Sequence, residues 1–572
     1  MSLISARLLV GALRVRAFRW LNRPAYPLWI ARHEPRGFRL NDQRHTTFAR
    51  MPSISVVVPV YNTRRADLEA MIESVLAQTY GNWQLCIADG CSTEAHVGEI
   101  LDCYASKDPR IRVRRLAENR YIAANTNEAV AMATGEFVGL LDHDDTLAPF
   151  ALFEVVKAVN ENPDVDALYS DEDKLSGYGN RRSKPNFKPD FRIDSVRSSN
   201  YVCHFFVVRK SAGDAVGWFR TGYDGSQDHD LVLRVAEQTQ RIAHIPKILY
   251  HWRQSPTSTA RSRNAKLYAS EAGRRAVADH LRRTGLGGTV RPGVSAFLHK
   301  AEYAPRSDSR VSIIVSPHGR RAPDRFLSLL AERECSDWVH DVAVLRFGSY
   351  HAAPPSLAGI RCETVARVSA GESWADLCRR AVSRVAGDLL LFVHDDTEPV
   401  GTDWVDRLVE HAQRPDVGIV GAKTCDRTGQ RIDQAGLVIG SKRFFRPAFR
   451  YYRRTAPGYM SRLRYVQNYS AVSDVCFMTR RSVFDEMGGF DRDLSIASSV
   501  VDYCLRLSEA GYAVVWTPYA ELTHHAWCEP GVPARDVGRM RRRWSSILER
   551  GDPCYNRNLT PRRGDFGIRA WR

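Results

Sequence analysis

The chain has 572 residues, of which 44% are hydrophobic, and a formal net charge of +17. This length and apolar content are typical of a soluble globular protein with more than one core. No run of 18 apolar residues occurs, which excludes a predicted transmembrane helix. The twelve cysteines form no C-x-x-C pair and no metal-ligand spacing, which favours a reducing, cytoplasmic compartment.

The two ends of the chain are rich in arginine. Residues 1–50 are predicted to form a basic helical extension, and its apolar stretch 3–21 carries four arginines, too many for a secretory signal. A basic tail is predicted over 536–572. Such flanks attract anionic lipid headgroups, phosphates or nucleic acid. No nucleic-acid-binding motif is present, so contact with a membrane surface and a plain solvated face remain as alternatives.

Strands and helices are predicted to alternate from residue 54 onward. Residues 56–60 form a β-branched run, 68–76 have apolar residues at helical spacing, and 83–89 form an apolar run that ends in an acid. This alternation predicts an α/β fold with a mainly parallel sheet. Ligands of such sheets bind beyond the carboxyl ends of the strands.

Acidic residues lie at two of these predicted strand ends. Asp89 there is either a turn former or a ligand contact. Asp142, Asp144 and Asp145 follow another apolar strand and repel one another unless a cation neutralises them. The cluster therefore predicts a Mg²⁺ or Mn²⁺ site that also holds a diphosphate, with a capped loop as the alternative.

Four segments recur in the same order in the second half of the chain. The matching pairs are 55–62 with 312–317, 142–146 with 394–397, 228–234 with 500–506, and 249–252 with 522–525. An ordered repeat of this kind predicts an internal duplication. We therefore expect two tandem domains, at 51–295 and 310–535.

The ordered motifs resemble those of a known enzyme family. They are Pro59-Val-Tyr61-Asn62, Asp89-Gly90-Cys-Ser92, Asp142-His-Asp144-Asp145 and Gln227-Asp228-His-Asp230. Their combination resembles an inverting family 2 glycosyltransferase with the GT-A fold. Residues 169–174, 187–190, 249–253 and 552–558 resemble the tandem-domain branch, rhamnosyltransferase-like, that builds bacterial surface polysaccharides such as O-antigen.

The resemblance implies a role for each matching residue. The nucleotide-sugar pocket would be formed by Pro59, Tyr61, Asn62, Asp89 and Asp142. The metal ion would be held by Asp142, Asp144, Asp145 and His251. Asp228 would be the general base that takes a proton from the acceptor hydroxyl, with an acid at a helix amino terminus as the alternative.

The implied function is inverting transfer of a sugar from a nucleoside-diphosphate donor to a glycan or lipid-linked oligosaccharide. It would take place in the cytoplasm, or peripherally on the inner face of the plasma membrane. The alternatives are a bifunctional transferase with two active domains and a non-catalytic sugar-nucleotide-binding scaffold. A nucleotidyltransferase is less favoured, because no glycine-rich phosphate loop follows the first strand.

The second unit departs from the family pattern at three positions. Arg346 is predicted to replace Asp89, Val393 to replace Asp142, and Val500 to replace Asp228. Since valine neither accepts a proton nor binds a metal, we expect a degenerate, non-catalytic copy. Its residual metal or diphosphate ligands would be Asp395, Asp396 and His524.

The first unit also has unusual features. Gly90 stands where relatives often have a second acid, and Arg120 and Tyr121 stand where they usually have glycines. The acidic segment 171–173 follows an apolar run and is predicted either to be a solvated loop or to frame the acceptor side of the site. The choice of donor sugar is therefore not predicted.

Overall fold

The protein folds into two compact domains, each built on its own large sheet. The computed structural model describes residues 25–176, 181–254, 263–317, 324–332, 337–346, 360–367, 371–525 and 532–569. Described residues up to 301 belong to the first domain and those from 302 to the second, so the boundary falls within the strand His299–Tyr303, which is numbered with the first domain. No helix in these ranges is both long and apolar enough to cross a bilayer. The arginines within 3–21 lie outside the described residues.

The first domain alternates strands and helices as predicted. Its strands are β1 (Ile54–Val60), β2 (Trp83–Asp89), β3 (Ile111–Arg115), β4 (Phe137–Leu140), β5 (Thr146–Leu147), β6 (Ala167–Leu175), β7 (Arg182–Asn186), β8 (Phe206–Arg209), β9 (Ile242–Arg253), β10 (Gly288–Pro292) and β11 (His299–Tyr303). Its helices are α1 (Ala25–His33), α2 (Phe38–His45), α3 (Arg65–Leu76), α4 (Ala95–Lys107), α5 (Tyr121–Ala131), α6 (Ala151–Glu161), α7 (Ile193–Ser198), α8 (Lys210–Val216), α9 (Gln227–Gln238) and α10 (Arg263–Arg283).

The sheet of the first domain has the strand order β3-β2-β1-β4-β8-β6-β9-β5, with β7 paired to β6. β1 is buried along its whole length and pairs in parallel with β2 and β4, as β6 does with β9. Among the described strands of this sheet, each antiparallel pairing involves β5, β7 or β8. The predicted α/β fold with a mainly parallel sheet is confirmed. The continuous burial of β1 is typical of a strand with both faces covered.

The second domain repeats this plan. Its strands are β12 (Val311–Ser316), β13 (Val339–Arg346), β14 (Arg361–Ala366), β15 (Leu389–His394), β16 (Thr397–Pro399), β17 (Val417–Cys425), β18 (Ile432–Gln434), β19 (Leu437–Ser441), β20 (Phe444–Pro447), β21 (Gln467–Asn468), β22 (Cys476–Arg480) and β23 (Ala513–His524). Its helices are α11 (Asp324–Glu332), α12 (Trp374–Val382), α13 (Trp404–Ala412), α14 (Arg481–Glu486), α15 (Ile496–Glu509), α16 (Ala534–Arg543) and α17 (Ser545–Arg550), with a 3₁₀ segment at Tyr459–Arg464.

The two sheets have the same strand order when equivalent strands are compared. The second runs β14-β13-β12-β15-β22-β17-β23-β16, so each strand takes the place of one in the first. A structural detail also recurs: Ser55 accepts a hydrogen bond from the amide of Gly135, and Ser312 does so from Gly387. The shared topology agrees with the predicted internal duplication.

The helices α9 and α15 are equivalent and align the two copies. The ion pair Asp230–Arg234 in α9 recurs as Asp502–Arg506 in α15, four residues apart in each case. This alignment places Val500 at the position of Asp228, as predicted. The register of β13 likewise places Arg346 at the position of Asp89.

The third predicted replacement is wrong. Val57 of β1 pairs with Leu140, and the equivalent Ile314 of β12 pairs with Phe392. Leu140 and Phe392 are therefore equivalent. Two residues after Leu140 is Asp142, and two residues after Phe392 is His394, so His394 and not Val393 takes the position of Asp142. The predicted alignment was off by one residue because Thr146 lies six residues after Leu140, whereas Thr397 lies only five residues after the equivalent Phe392.

The acidic segment 171–173 lies within β6, and all three side chains are buried. Each carboxylate has a cationic neighbour, and the pairs are Asp171 with His244, Glu172 with Lys188, and Asp173 with Arg182. The solvated-loop alternative is therefore wrong. Buried carboxylates persist where charged partners compensate for lost hydration.

Both ends of the described chain pack on the domains. In α1, Trp29 packs against Phe187, and Glu34 just beyond it pairs with Arg182 at 2.6 Å. In the second domain, Trp544 is buried and its Nε1 donates to Asp502 at 3.0 Å. The described parts of the helical extension and of the basic tail are thus integral to the two domains.

Candidate functional site

A cavity of about 420 Å³ opens in the first domain beyond the carboxyl ends of β1 and β4. Pro59 and Tyr61 border it from the end of β1, Asp142 from the segment after β4, and Asp228 from the start of α9. This is the sheet edge at which α/β proteins bind ligands. The structure thus brings four of the predicted site residues together around one space.

Two predicted nucleotide contacts, Asn62 and Asp89, do not border the cavity. The backbone amide of Asn62 donates to Oγ of Ser92 at 2.9 Å, and the amide of Ser92 donates to Oδ1 of Asp89 at 3.1 Å. These bonds join the loop after β1 to the loop after β2. Asn62 and Asp89 therefore shape the loop that carries Tyr61.

The three clustered aspartates have different environments. Asp145 is buried, and its two oxygens accept 2.6 Å hydrogen bonds from the hydroxyl of Tyr250 and the backbone amide of Arg253. By contrast, no described residue donates a hydrogen bond to the carboxylate of Asp142 or Asp144. Partial burial beside the cavity raises the pKa of Asp142, the positive charge of His204 opposes this shift, and the charge of Asp144 adds to it. The carboxylates of Asp142 and Asp144 are therefore not committed to hydrogen bonds within the described part of the chain.

His251 lies on β9 and pairs with Thr146 of β5. Thr146 directly follows Asp145, so the strand pairing brings His251 near the aspartate cluster. Its Nδ1 lies 2.6 Å from Oδ1 of Asp173, which orients the ring and leaves Nε2 as the nitrogen available to a ligand. A carboxylate that holds the far nitrogen is common behind metal-binding histidines. Among the described residues of this domain, however, no three acidic, histidine or cysteine side chains bring ligand atoms within 4.8 Å of one another.

Asp228 occupies the first turn of α9. Its Oδ1 accepts a hydrogen bond from the amide of His229 at 2.8 Å, and its Oδ2 accepts one from Nδ2 of Asn200 at 2.9 Å. Both bonds hold the carboxylate beside the cavity that it borders. A fixed carboxylate at the wall of a ligand-sized cavity can accept a proton from a bound hydroxyl.

His204, which no sequence motif singled out, also borders the cavity. Its Nδ1 lies 3.0 Å from Oε2 of Glu172, and its Nε2 lies 4.0 Å from Oδ2 of Asp142. Burial alone would lower the pKa of His204, but the carboxylates, Glu172 foremost, outweigh it and raise the pKa to about 9. The imidazolium adds a positive charge beside Asp142. No spacing signal in the sequence connects these residues.

Comparison with known proteins identifies the domain that holds this cavity. Residues 55–217 match the sequence model of glycosyl transferase family 2. The chain carries a family 2 glycosyltransferase domain. With the strand order of the first sheet, this match supports the GT-A fold that the motifs predicted.

The chain as a whole, and not only its glycosyltransferase domain, is similar to longer proteins. The chain is 40% identical over 535 residues to an uncharacterized protein of Sinorhizobium fredii, matching 90% of this chain and 58% of that protein. It is 35% identical over 566 residues to the O-antigen biosynthesis protein RfbC of Myxococcus xanthus, matching 95% of this chain and 43% of RfbC. The chain thus spans about half the length of these relatives.

Among solved structures, the chain is similar to S. aureus TarS 1-349 in complex with UDP-GlcNAc. The sequence identity is 20%, the TM-score is 0.34, and the match covers 40% of this chain and 66% of that one.

Outside the glycosyltransferase domain, the second domain gathers a cluster of its own. His394, Asp396 and His524 have ligand atoms that all lie within 4.8 Å of one another. Asp395, which was predicted with them, is not in this group. Burial alone would lower the pKa of His524, but Asp396 and Asp433 outweigh it and raise the pKa to about 9. Two of the three residual ligands predicted for this domain are therefore close together.

Proposed function

We propose that the first domain transfers a sugar from a nucleoside-diphosphate donor, with inversion, to a hydroxyl of a glycan or lipid-linked acceptor in bacterial surface polysaccharide assembly. One observation carries the proposal: Asp142 and Asp228 border the same cavity from different elements. Direct displacement needs a base on the acceptor side and a cation-binding group on the leaving side. The name of the similar O-antigen biosynthesis protein supports the product class.

Asp228 is the base in this proposal. Its carboxylate takes the proton of the acceptor hydroxyl as that oxygen bonds to the anomeric carbon. The bond from the anomeric carbon to the diphosphate oxygen breaks in the same step, so one displacement inverts the configuration. Asn200 and the amide of His229 keep both carboxylate oxygens in place during the transfer.

A divalent cation, Mg²⁺ or Mn²⁺, fits the first domain because the carboxylates of Asp142 and Asp144 accept no hydrogen bond from the described residues and offer the oxygen ligands that these ions prefer. We assign these two carboxylates and Nε2 of His251 as its ligands. Asp145 instead anchors the turn, since Tyr250 and Arg253 already bind both of its oxygens. The bound cation would supply charge neutralisation for the leaving diphosphate.

The second domain is proposed to be non-catalytic, because Val500 stands where the first domain has its base. The alternatives are a bifunctional enzyme in which another group acts as the base, and a scaffold in which neither domain turns over. We also propose that the basic segment before residue 25 holds the protein peripherally at an anionic membrane surface.

The decisive experiment measures nucleoside-diphosphate release from a panel of sugar nucleotides with Mn²⁺ and a lipid-linked acceptor extract. Asp228→Asn should lower transfer by roughly a hundredfold or more while donor binding persists. Asp395→Asn in the second domain is the matched control and should leave transfer unchanged. Loss of a distinct product in Asp395→Asn would support the bifunctional alternative. No donor consumption by the wild type would support the scaffold.

A further inference from the structure

We propose that the second domain binds a divalent transition-metal ion with the ligand preference of Zn²⁺, through His394, Asp396 and His524. The three residues come from the end of β15, from the turn that follows it and from the end of β23. Such a site is independent of the proposed transfer reaction, because it lies in a different domain from Asp228.

The geometry of the cluster is close to that of a metal site. One ligand atom from each of the three residues lies within 4.8 Å of the other two. Bonds of about 2.0–2.2 Å in a tetrahedral site place neighbouring ligand atoms about 3.4 Å apart. Nε2 of His524 and Oδ2 of Asp396 are already 3.5 Å apart. His394 lies within the same 4.8 Å limit, and its Nε2 is 3.8 Å from Oδ2 of Asp474.

The surroundings orient His524. Nδ1 of His524 lies 2.9 Å from Oδ2 of Asp433, so Nε2 is the nitrogen that faces Asp396. Asp433 is itself held by Arg450 at 3.1 Å. A carboxylate behind a histidine in this way fixes its tautomer and increases its basicity as a ligand. Both ligand histidines are buried, with 1% of His394 and 3% of His524 exposed.

The donor set differs from the one assigned to the first domain. His394 takes the position of Asp142, so an imidazole replaces a carboxylate at the sheet edge. Two imidazoles and one carboxylate favour Zn²⁺ and similar borderline ions, whereas Mg²⁺ prefers oxygen ligands throughout. Three protein ligands leave a fourth position for water or an anionic oxygen. Since Val500 cannot act as a base, the ion would bind without supporting a displacement.

The test uses the full chain, freed of metal with a chelator and titrated with Co²⁺ as the spectroscopic probe for a tetrahedral site. Asp142→Asn in the first domain serves as the background, so that binding there does not contribute. We expect an intense visible absorption that Zn²⁺ abolishes. His394→Ala and Asp396→Asn should each weaken Co²⁺ binding by about tenfold or more, and Asp433→Asn by about tenfold. His525→Ala, which changes the next histidine, is the matched control and should bind normally.

The outcomes are distinct. Absence of the absorption, with equal metal content in the wild type and His394→Ala, would show that the cluster is only an ion pair and would overturn the proposal. If His394→Ala unfolds, as judged by circular dichroism, the isosteric Asp396→Asn gives the same comparison. Transfer activity is not used as a readout, so a failure of the proposed function would leave this result intact.

Discussion

At the residue scale, neighbouring aspartates in one motif differ in burial and in hydrogen bonding. Asp145 is buried with both oxygens bound, whereas 42% of the Asp142 side chain is exposed and its carboxylate borders the cavity. When a buried donor or acceptor loses its hydrogen-bond partner, the folded state is destabilised by the full desolvation free energy of that group. A half-buried carboxylate that accepts no hydrogen bond contributes little to stability, so its removal changes the free energy of unfolding only slightly.

Alanine substitutions should separate the two tasks. Asp145→Ala leaves the hydroxyl of Tyr250 and the amide of Arg253 without an acceptor and should lower the free energy of unfolding by about 2–3 kcal/mol. Asp142→Ala should change it by about 0.5 kcal/mol or less while abolishing Mn²⁺-dependent donor binding. Urea denaturation and calorimetric titration measure these effects. Equal destabilisation by both variants would contradict the assignment of Asp145 as an anchor.

The backbone of Tyr121 is strained. It begins α5 with a φ of 66°, in the left-handed region, and 74% of it is exposed at the cavity mouth. A side chain in this region costs about 1–2 kcal/mol that glycine avoids. Tyr121→Gly should therefore raise the free energy of unfolding by about 1 kcal/mol, measured in urea. Tyr121→Ala keeps the strain and should not, so a similar gain in both variants would argue against backbone strain.

At the element scale, the packing of α9, α10 and β11 buries three histidines. His229, His280 and His299 are each nearly inaccessible, and the rings of His229 and His299 lie 5.8 Å apart. Burial lowers the pKa of all three, and the charges of His229 and Arg274 help to lower that of His299 to about 3, against Glu271. These elements are therefore stable with neutral histidines.

The folded state should lose stability in mild acid. Below a pH of about 6.5 the unfolded chain protonates these histidines while the folded chain does not, so the unfolded state binds more protons. The free energy of unfolding should fall as the pH drops from about 6.5 toward the folded pKa, and less steeply in His299→Gln. Urea denaturation across this range measures the slope. The exposed His45→Gln is the control, and a slope equally reduced there would contradict the prediction.

At the scale of the whole molecule, positive charge is not spread evenly. The net charge is +17, but Arg539 and Arg543 of α16 pair with Asp493 and Asp491. Part of the basic tail is thus neutralised within the second domain. The segment before residue 25 is the other arginine-rich end of the chain.

Binding to anionic vesicles should depend on that segment and on salt. The full chain should float with phosphatidylserine-containing liposomes at low ionic strength and dissociate as salt screens the charges. Removal of residues 1–24 should reduce binding, whereas a longer truncation would remove Trp29, which packs against Phe187. Neutral liposomes are the control. Unchanged flotation of the truncated chain would refute the proposed membrane contact.

The sequence by itself determined the α/β class, predicted the duplication with which the shared strand order agrees, and placed Val500 at the position of Asp228. These features are local: buried strands, helical spacing and ordered motifs are each contained in short segments. The same local patterns placed Asp142 and Asp228 at strand and helix ends, and those ends meet at one edge of the sheet. Val500 was recognised because its helix keeps the motif around it.

Only the tertiary structure decided what each acid does. Tyr250 and Arg253 reach Asp145 from 105 and 108 residues away, and no local pattern encodes those two bonds. The partners of segment 171–173, the position of His204 and the alignment of His394 with Asp142 likewise depend on strand pairing. A side chain's protonation and its freedom to bind a ligand are set by neighbours in space, which the sequence order alone does not specify.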